Sequence, residues 1–413
     1  MKITVHWRFR VQQFSGIRPA LSSSLTQPFP KLGDVRLAQL KTWITSPAKG
    51  GNDWGEVKPC LFVCAITSDG VIGWGEAFTL PCREKAVAEI IHALGRQASS
   101  LPTISPQSFR EHALRIAAQH RSLDFAAATS ALEMALWDIS GKLAGKPLCE
   151  LWGGDRHRVI PVYGNIWSDT QWDATSLARR AADLVAQGYR AVKIHPMLNH
   201  SATEAVGCVL RVRDIVGDDI ELMVDLDSKD DPDMALQVAK AITPARPYWF
   251  EEPCDGTDIQ ALAKIRKATG LRVVTGEKQF GLTHFRAVLA AGAADILNPD
   301  IAGMGGLLDI LEVAELAGLQ DVMLSPHCWN SMTVAATAMM HVCASIPNAE
   351  MAEIYPEYIS HGERFATAGY DLDGAHAYLS GKPGLGVEID VQALNSLADH
   401  SHSTNLTMAE VTP

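Results

Sequence analysis

From about residue 160 onward the chain repeats one unit, a short apolar run that stops abruptly at a charged or polar residue and is followed by an amphipathic helical stretch. Eight such runs can be read: Val159–Gly164, Tyr189–His195, Glu221–Asp225, Tyr248–Glu251, Leu271–Glu277, Ala294–Asp300, Asp321–His327 and Glu350–Glu353. The polar residues that close the last seven are Lys193, Asp225, Glu251, Glu277, Asp300, His327 and Glu353, at intervals of 32, 26, 26, 23, 27 and 26 positions. Strand and helix alternating at so even a period build parallel βαβ units, and eight of them describe a closed (β/α)₈ barrel better than an open sheet. An open nucleotide-binding sheet would want a glycine-rich phosphate loop after its first strand, and none is found. Gly303, Gly305 and Gly306 come after the sixth run and read as a tight turn.

The repeat occupies about residues 155–360 of 413, so roughly 150 residues precede it. Strand-like Leu61–Ile66 and Val71–Trp74 beside helical Glu84–Ser99 indicate a separate α+β domain there. Ser22–Pro30 and Ser46–Gly55 are rich in Ser, Pro and Gly and read as long loops, candidates for a lid. The residues from about Ser396 are polar and are expected to fray, with His400 and His402 in solvent.

Charge and composition exclude several functions. Lys and Arg number 36 against 47 Asp and Glu, a net charge of −11, and no basic run suits a phosphate backbone, so nucleic acid is not expected as a partner. Apolar stretches such as Ala287–Ala294 fall far short of the ~20 residues that span a bilayer, and no membrane association is expected. Met1–Arg10 lacks the apolar core of a secretory signal, which leaves a cytoplasmic address. The eight cysteines are scattered and are expected to be reduced and mostly buried, with Cys328 set apart by its place after His327.

In a barrel of this kind catalytic groups gather at the C-terminal strand ends. Asp225, Glu251 and Glu277 close three consecutive runs. Three converging carboxylates need a cation between them, and an all-oxygen set suits Mg²⁺ better than zinc. The competing reading, in which each acid caps the helix after it, weakens when three recur at a 26-residue interval. Asp300 and His327 close the next two runs, where an Asp can hold one imidazole nitrogen and orient the other as a base. Lys193 and His195, two apart on the second run, face the same way, across the mouth from His327. Cation, lysine and histidines together select an anionic small molecule, most simply a carboxylate.

The same residues carry a family resemblance. Ala128–Gly153 (ATSALEMALWDISGKLAGKPLCELWG), Asp225-Leu-Asp227, Phe250-Glu251-Glu252-Pro253, Gly276-Glu277, Asn298-Pro299-Asp300, Ser325-Pro326-His327 and Lys382–Val387 (KPGLGV) resemble the mandelate racemase/muconate lactonizing branch of the enolase superfamily. The resemblance implies a modified (β/α)₇β barrel under an α+β capping domain, with residues 1–130 as cap, 131–360 as barrel and 361–413 returning to the cap with a polar tail. It implies Mg²⁺, one per subunit, on Asp225, Glu251 and Glu277, and abstraction of the proton α to a carboxylate to give an enediolate, a pattern the enolase superfamily runs with a Lys or His base. Relatives are commonly homo-oligomers.

Two departures bear on the reaction. Where the family often has Lys-x-Lys, this chain has Lys193-Ile-His195, and Asp227 stands where Asn is usual. With His327 as the one clear base, dehydration of an aldonate or aldarate to a 2-keto-3-deoxy acid is favoured. In that reaction Lys193 contacts the substrate carboxylate, Glu353 hydrogen-bonds its other oxygen, and His327 and His195 move the protons. Racemisation or epimerisation between His195 and His327 is the alternative, and a non-catalytic binding barrel a remote one. Arg18, Trp54 and Ser22–Ser24 in the front domain, with Asn165, Trp167, Cys328, Trp329 and Asn330 after the first and seventh runs, are candidates for the distal end of the substrate.

Overall fold

The computed structural model describes residues 36–46, 59–101, 104–118, 120–166, 173–197, 200–329 and 331–406. Both loops read as lid candidates fall outside these residues apart from Ser46, as do Arg18, Trp54, Trp167 and Asn330.

The front domain begins as an antiparallel meander of β1 (Leu37–Thr45), β2 (Cys60–Thr67) and β3 (Ile72–Ala77), backed by α1 (Glu84–Ala98), α2 (Pro106–Ala117) and α3 (Leu123–Ala144). Ser122 caps α3 at one end and Gly145, at φ 64°, closes it at the other. Every residue of α3 from Ala126 to Gly141 is buried, because one side packs on β3 and the other faces the barrel. The β3 contact is close: a Cβ on Gly75 would collide with the backbone of Ala131. After the short α4 (Leu148–Leu151) the chain enters the barrel, so α3, Glu133 included, packs as one helix with the front domain although the boundary expected at residue 130 would divide it.

Eight parallel strands form the barrel: β4 (Ile160–Ile166), β5 (Ala191–Ile194), β6 (Glu221–Asp225), β7 (Trp249–Glu251), β8 (Val273–Thr275), β9 (Ile296–Leu297), β10 (Met323–Leu324) and β11 (Ala352–Ile354). Each from β4 to β9 pairs with the next, β11 pairs with β4, and β10 meets the segment before β11 through the isolated bridge Leu324↔Ala349. Closure between β10 and β11 uses the Leu324 N–H to Asn348 O (2.9 Å) and Glu350 N–H to Leu324 O (2.8 Å) bonds. Outside lie α5 (Ala174–Ala186), α6 (Ala202–Val216), α7 (Pro232–Ile242), α8 (Ile259–Thr269), α9 (Leu282–Ala290), α10 (Leu307–Gly318) and α11 (Thr333–Ser345). The interior holds a plug of Tyr163, Ala191, Met223, Trp249, Val274 and Ile296, with the Tyr163 and Trp249 rings perpendicular at 5.2 Å.

Each of the eight runs read from the sequence is a strand, but the paired segments are shorter than the runs. Glu277 lies two residues past the end of β8, and Asp300 and His327 each lie three past β9 and β10, joined by an isolated parallel bridge.

The chain then forms α12 (Pro356–Gly362), β12 (Ala366–Thr367), β13 (Tyr370–Leu372), β14 (His376–Leu379), β15 (Glu388–Ile389), α13 (Val391–Leu397) and β16 (Ala398–Asn405). The frayed tail expected from Ser396 is corrected here, since β16 pairs antiparallel with β1 from Thr45↔Ala398 to Gln39↔Asn405 and completes the cap sheet. A ladder rests on backbone groups, so a polar edge strand suffices once its end is anchored, as buried Leu406 anchors this one. His402 is no solvated tail residue: its Nδ1 lies 2.9 Å from Glu89 and its ring 4.0 Å from that of His92.

Candidate active site

Asp225 and Glu251 end their strands in register with one another, and Glu277 follows on the next, so the barrel pleat turns all three carboxylates into the mouth. One oxygen from each lies within 4.8 Å of the others. Glu251 is fixed by Lys193 Nζ (2.8 Å), Asn298 Nδ2 (2.9 Å) and the Trp249 indole N–H (2.8 Å), while Asp225 accepts the Asp227 N–H (2.7 Å). Burial pushes the Glu251 carboxyl up to about 7 despite Lys193, and burial with Asp225 and Glu252 nearby drives Glu277 well above the usual range. Burial would raise Asp225 as well, but His195 and Lys193 outweigh it and hold it low. Buried carboxylates that resist joint ionisation fit a hard divalent cation, and Asp225, Glu251 and Glu277 are the acids that could hold it. The competing helix-cap role does not occur: α7 is capped by Asp231 and α8 by Asp258. Asp227, which stands where Asn is usual, accepts from Lys278 Nζ at 2.9 Å.

Two histidines face this group. His327 Nδ1 lies 2.7 Å from Asp300 Oδ2, while Nε2 points at Glu277 (3.4 Å) and Glu353 (3.8 Å). Burial would lower the His327 imidazole, yet Glu277, Glu353 and Asp300 raise it to about 9. On the far side, His195 Nδ1 lies 3.4 Å from Asp225 Oδ2 and Nε2 2.9 Å from Asn165 Oδ1. The tautomer follows from Asn165, whose Nδ2 donates to Glu353 at 2.7 Å. Its Oδ1 must therefore accept, which places a proton on His195 Nε2 and leaves Nδ1 as the exchanging position. Burial keeps this imidazole below its ordinary value.

Lys193 is fully buried, bonded to Glu251 and Glu353 at 2.8 Å each and 3.5 Å from Asp225. Burial alone would lower the ammonium, but these carboxylates hold it well above the ordinary lysine value. Glu353 also accepts the Cys328 N–H at 2.8 Å. Burial is outweighed there by Lys193 and His327, which hold Glu353 down to about 2, so in this arrangement it accepts rather than donates. Cys328 contributes its backbone, its buried thiol being pushed far up.

The structure thus brings Lys193, His195, Asp225, Glu251, Glu277, Asp300, His327 and Glu353 to one mouth. Asn165, read as a candidate for the distal end of a substrate, bridges Glu353 and His195 instead. The sequence reading also passed over the work of Glu252, which accepts from Ser228 Oγ (2.7 Å), Thr275 Oγ1 (3.0 Å) and the Gly276 N–H (2.7 Å) and so fixes the backbone just before Glu277. Glu252 and Asn298 stood inside quoted motifs, but nothing in a motif says which neighbour a side chain will reach.

The Enolase C-terminal domain-like family matches residues 176–393, and the mandelate racemase/muconate lactonizing enzyme N-terminal domain matches residues 55–153. The chain belongs to the mandelate racemase/muconate lactonizing enzyme family of the enolase superfamily. Among curated members it is 30% identical over 348 residues to the D-gluconate dehydratase of Thermoproteus tenax, covering 81% of this chain and 69% of that one. It is 27% identical over 376 residues to the D-galactonate dehydratase of Klebsiella pneumoniae, covering 86% and 92%. Among solved structures it superposes with a TM-score of 0.87 on an enolase from the Sargasso Sea environmental genome sequencing, at 41% identity over 92% of this chain and all of that one. Members of this family share the cap and (β/α)₇β barrel described above, and no helix among the described residues is long and apolar enough to cross a membrane.

Proposed function

We propose that this protein is a Mg²⁺-dependent acid-sugar dehydratase that removes the proton α to the carboxylate of an aldonate and expels the 3-hydroxyl as water, leaving a 2-keto-3-deoxy acid. The observation that carries this reading is the Asp300–His327 pair at 2.7 Å, with Nε2 turned toward Glu277 at the three-carboxylate cluster. The names of the relatives, D-gluconate and D-galactonate dehydratase, agree with it.

Mg²⁺ held by Asp225, Glu251 and Glu277 would acidify the proton at carbon 2, offset charge building on the substrate carboxylate and cancel part of the carboxylate field that keeps His327 protonated. His327 Nε2 takes that proton, and Asp300 on Nδ1 keeps the ring oriented and favours the imidazolium that results. Lys193 holds a fixed positive charge at the carboxylate end, anchored by Glu353. The 3-hydroxyl then leaves as water with the proton that His327 Nε2 returns to it, while His195, neutral with its Nε2–H held by Asn165, faces the substrate from the opposite flank.

A panel of aldonates and aldarates incubated with the enzyme and Mg²⁺ in D₂O tests this. Water loss with a keto acid as product is expected, with D-gluconate and D-galactonate among the substrates. Deuterium at carbon 2 with the skeleton intact would instead mark an epimerase, with His195 and His327 as opposed bases.

A further inference from the structure

The helices around the barrel do not begin alike. α5, α6, α7 and α8 each carry a side-chain cap of their own, from Asp173, Ser201, Asp231 and Asp258. α10 and α11, which follow the strands leading to Asp300 and His327, do not: their capping positions are Gly306 and Met332, with no side-chain cap bond. Both helix starts are buried, so their first N–H groups must find partners inside the protein. The partners come from the other domain. Glu76 in β3 accepts the N–H groups of Met332 (2.7 Å) and Ala335 (2.9 Å), one on each oxygen. Glu133 in α3 accepts those of Leu307 and Leu308, again one on each oxygen.

Neighbouring contacts act on the same two loops. Ser130 Oγ accepts the Gly305 N–H (2.8 Å), the Phe78 N–H donates to Ala302 O (3.1 Å), and the Phe78 ring lies 5.7 Å from that of Trp329. Gly306 sits at φ +143°, and a Cβ there would run into the Glu133 carboxylate. From each cap the chain runs only a few residues back to the dyad, from Leu307 to Asp300 and from Met332 to His327.

We propose that Glu76 and Glu133 are positioning residues for proton abstraction, two capping-domain carboxylates that hold the barrel loops carrying His327 and Asp300 in register by capping α11 and α10 across the domain boundary. The proposal rests on the dyad being the base. Two carboxyl oxygens at a helix start satisfy orphan donors that the helix cannot satisfy itself, and a loop pinned at both ends cannot drift. A shift of about 1 Å in a base costs on the order of 10²-fold in rate, so caps that touch no substrate still act on the chemical step.

The test replaces Glu76 and Glu133 singly by Gln in the full chain. Gln keeps the shape and one acceptor oxygen but turns an N–H₂ toward a backbone N–H. With the aldonate that turns over fastest in the panel, each variant is expected to lose about tenfold or more in kcat while KM and the Mg²⁺ requirement stay within about twofold. The isotope effect on kcat with substrate deuterated at carbon 2 is expected to rise, because proton abstraction becomes the slow step. Glu76→Asp, shorter but with both oxygens, should recover part of the loss and serves where Glu76→Gln does not fold. A lower melting temperature with native kcat and native isotope effect in the folded fraction would reduce the two residues to structural caps and overturn the proposal. His327→Asn measured alongside separates the two readings. If it keeps turnover, the base assignment falls and takes this proposal with it; if it is dead and the Gln variants are native, only the positioning role falls.

Discussion

Helices α5–α8 and helices α10 and α11 stand on the same barrel but are finished by different parts of the chain. The first group is capped within a few residues by Asp173, Ser201, Asp231 and Asp258; the second is capped by Glu133 and Glu76, 174 and 256 positions away in sequence. The local caps belong to units whose strands present Lys193, Asp225 and Glu251. The distant caps belong to the loops that present Asp300 and His327. Charge binding therefore draws mainly on structure the barrel makes by itself, whereas the base is completed only when the capping domain docks.

The most severe way to probe the first side of that contrast is to remove the metal. A chelator should abolish dehydration and Mg²⁺ should restore it, and at about 100 times its dissociation constant Mg²⁺ should add about 2.7 kcal/mol to stability, read as a rise in melting temperature. Glu251→Gln should lose both effects. Glu76→Gln should keep the stabilisation by Mg²⁺, because its cap lies on the other side; loss of Mg²⁺ binding in that variant would break the comparison.

The base side is probed by His327→Asn, expected to lower kcat on the order of 10³-fold with Mg²⁺ stabilisation intact. Asp300→Asn should fall in the same direction, because an amide on Nδ1 no longer favours the imidazolium. Equal loss of Mg²⁺ binding in either variant would mean that the two sides are not separable.

A third probe concerns how α11 is held along its length. His341 on α11 is fully buried, accepting the Cys149 N–H on Nδ1 (3.3 Å) and facing Leu385 O from Nε2 (3.1 Å). With Nδ1 accepting, the ring is neutral, and burial lowers it from 6.5 to about 4 despite the Leu385 carbonyl. A histidine lowered on folding takes up its proton more readily when unfolded, so its stabilisation is present above pH 6.5 and is lost as pH falls toward 4. The loss amounts to at most about 3 kcal/mol. Urea midpoints measured between pH 7 and 4.5 should fall, and His341→Gln should flatten that slope; an unchanged slope would remove His341 from the account.

The contrast also explains what could be read from the sequence. The barrel period, Asp225, Glu251, Glu277 and the Asp300/His327 pairing were legible because one residue per repeat faces the mouth and strand neighbours are fixed by chain order. The metal and base assignments remain readings of that geometry. Glu76 and Glu133 were not legible. Their partners are backbone N–H groups far along the chain, and a carboxylate that caps a distant helix looks in sequence like any other acid. The strand at Ala398–Asn405 failed to register for a related reason, because its pairing with β1 is made by backbone groups that its polar composition does not advertise. Asn165 is legible as a residue of the mouth, but its position after the first strand does not show that Glu353 and His195 will flank it.

The smallest effect expected is the most direct check on the comparison. Asp173 accepts the Ser176 N–H at 2.6 Å and Asp258 the Ala261 N–H at 2.9 Å, both at exposed helix starts. Replacing either by Ala should cost about 1 kcal/mol of stability, the usual worth of such a cap, with the freed N–H turning to water. Because none of the proton-transfer groups assigned above, His195, Asp300 and His327, lies in the segments before α5 and α8, kcat and its isotope effect should stay at native values. The same class of lesion, loss of a helix cap, would then be silent in catalysis on one side of the barrel and costly on the other. A tenfold fall in kcat for Asp173→Ala or Asp258→Ala would show that any loosened helix start disturbs the mouth, and the distinction between local and borrowed caps would lose its functional meaning.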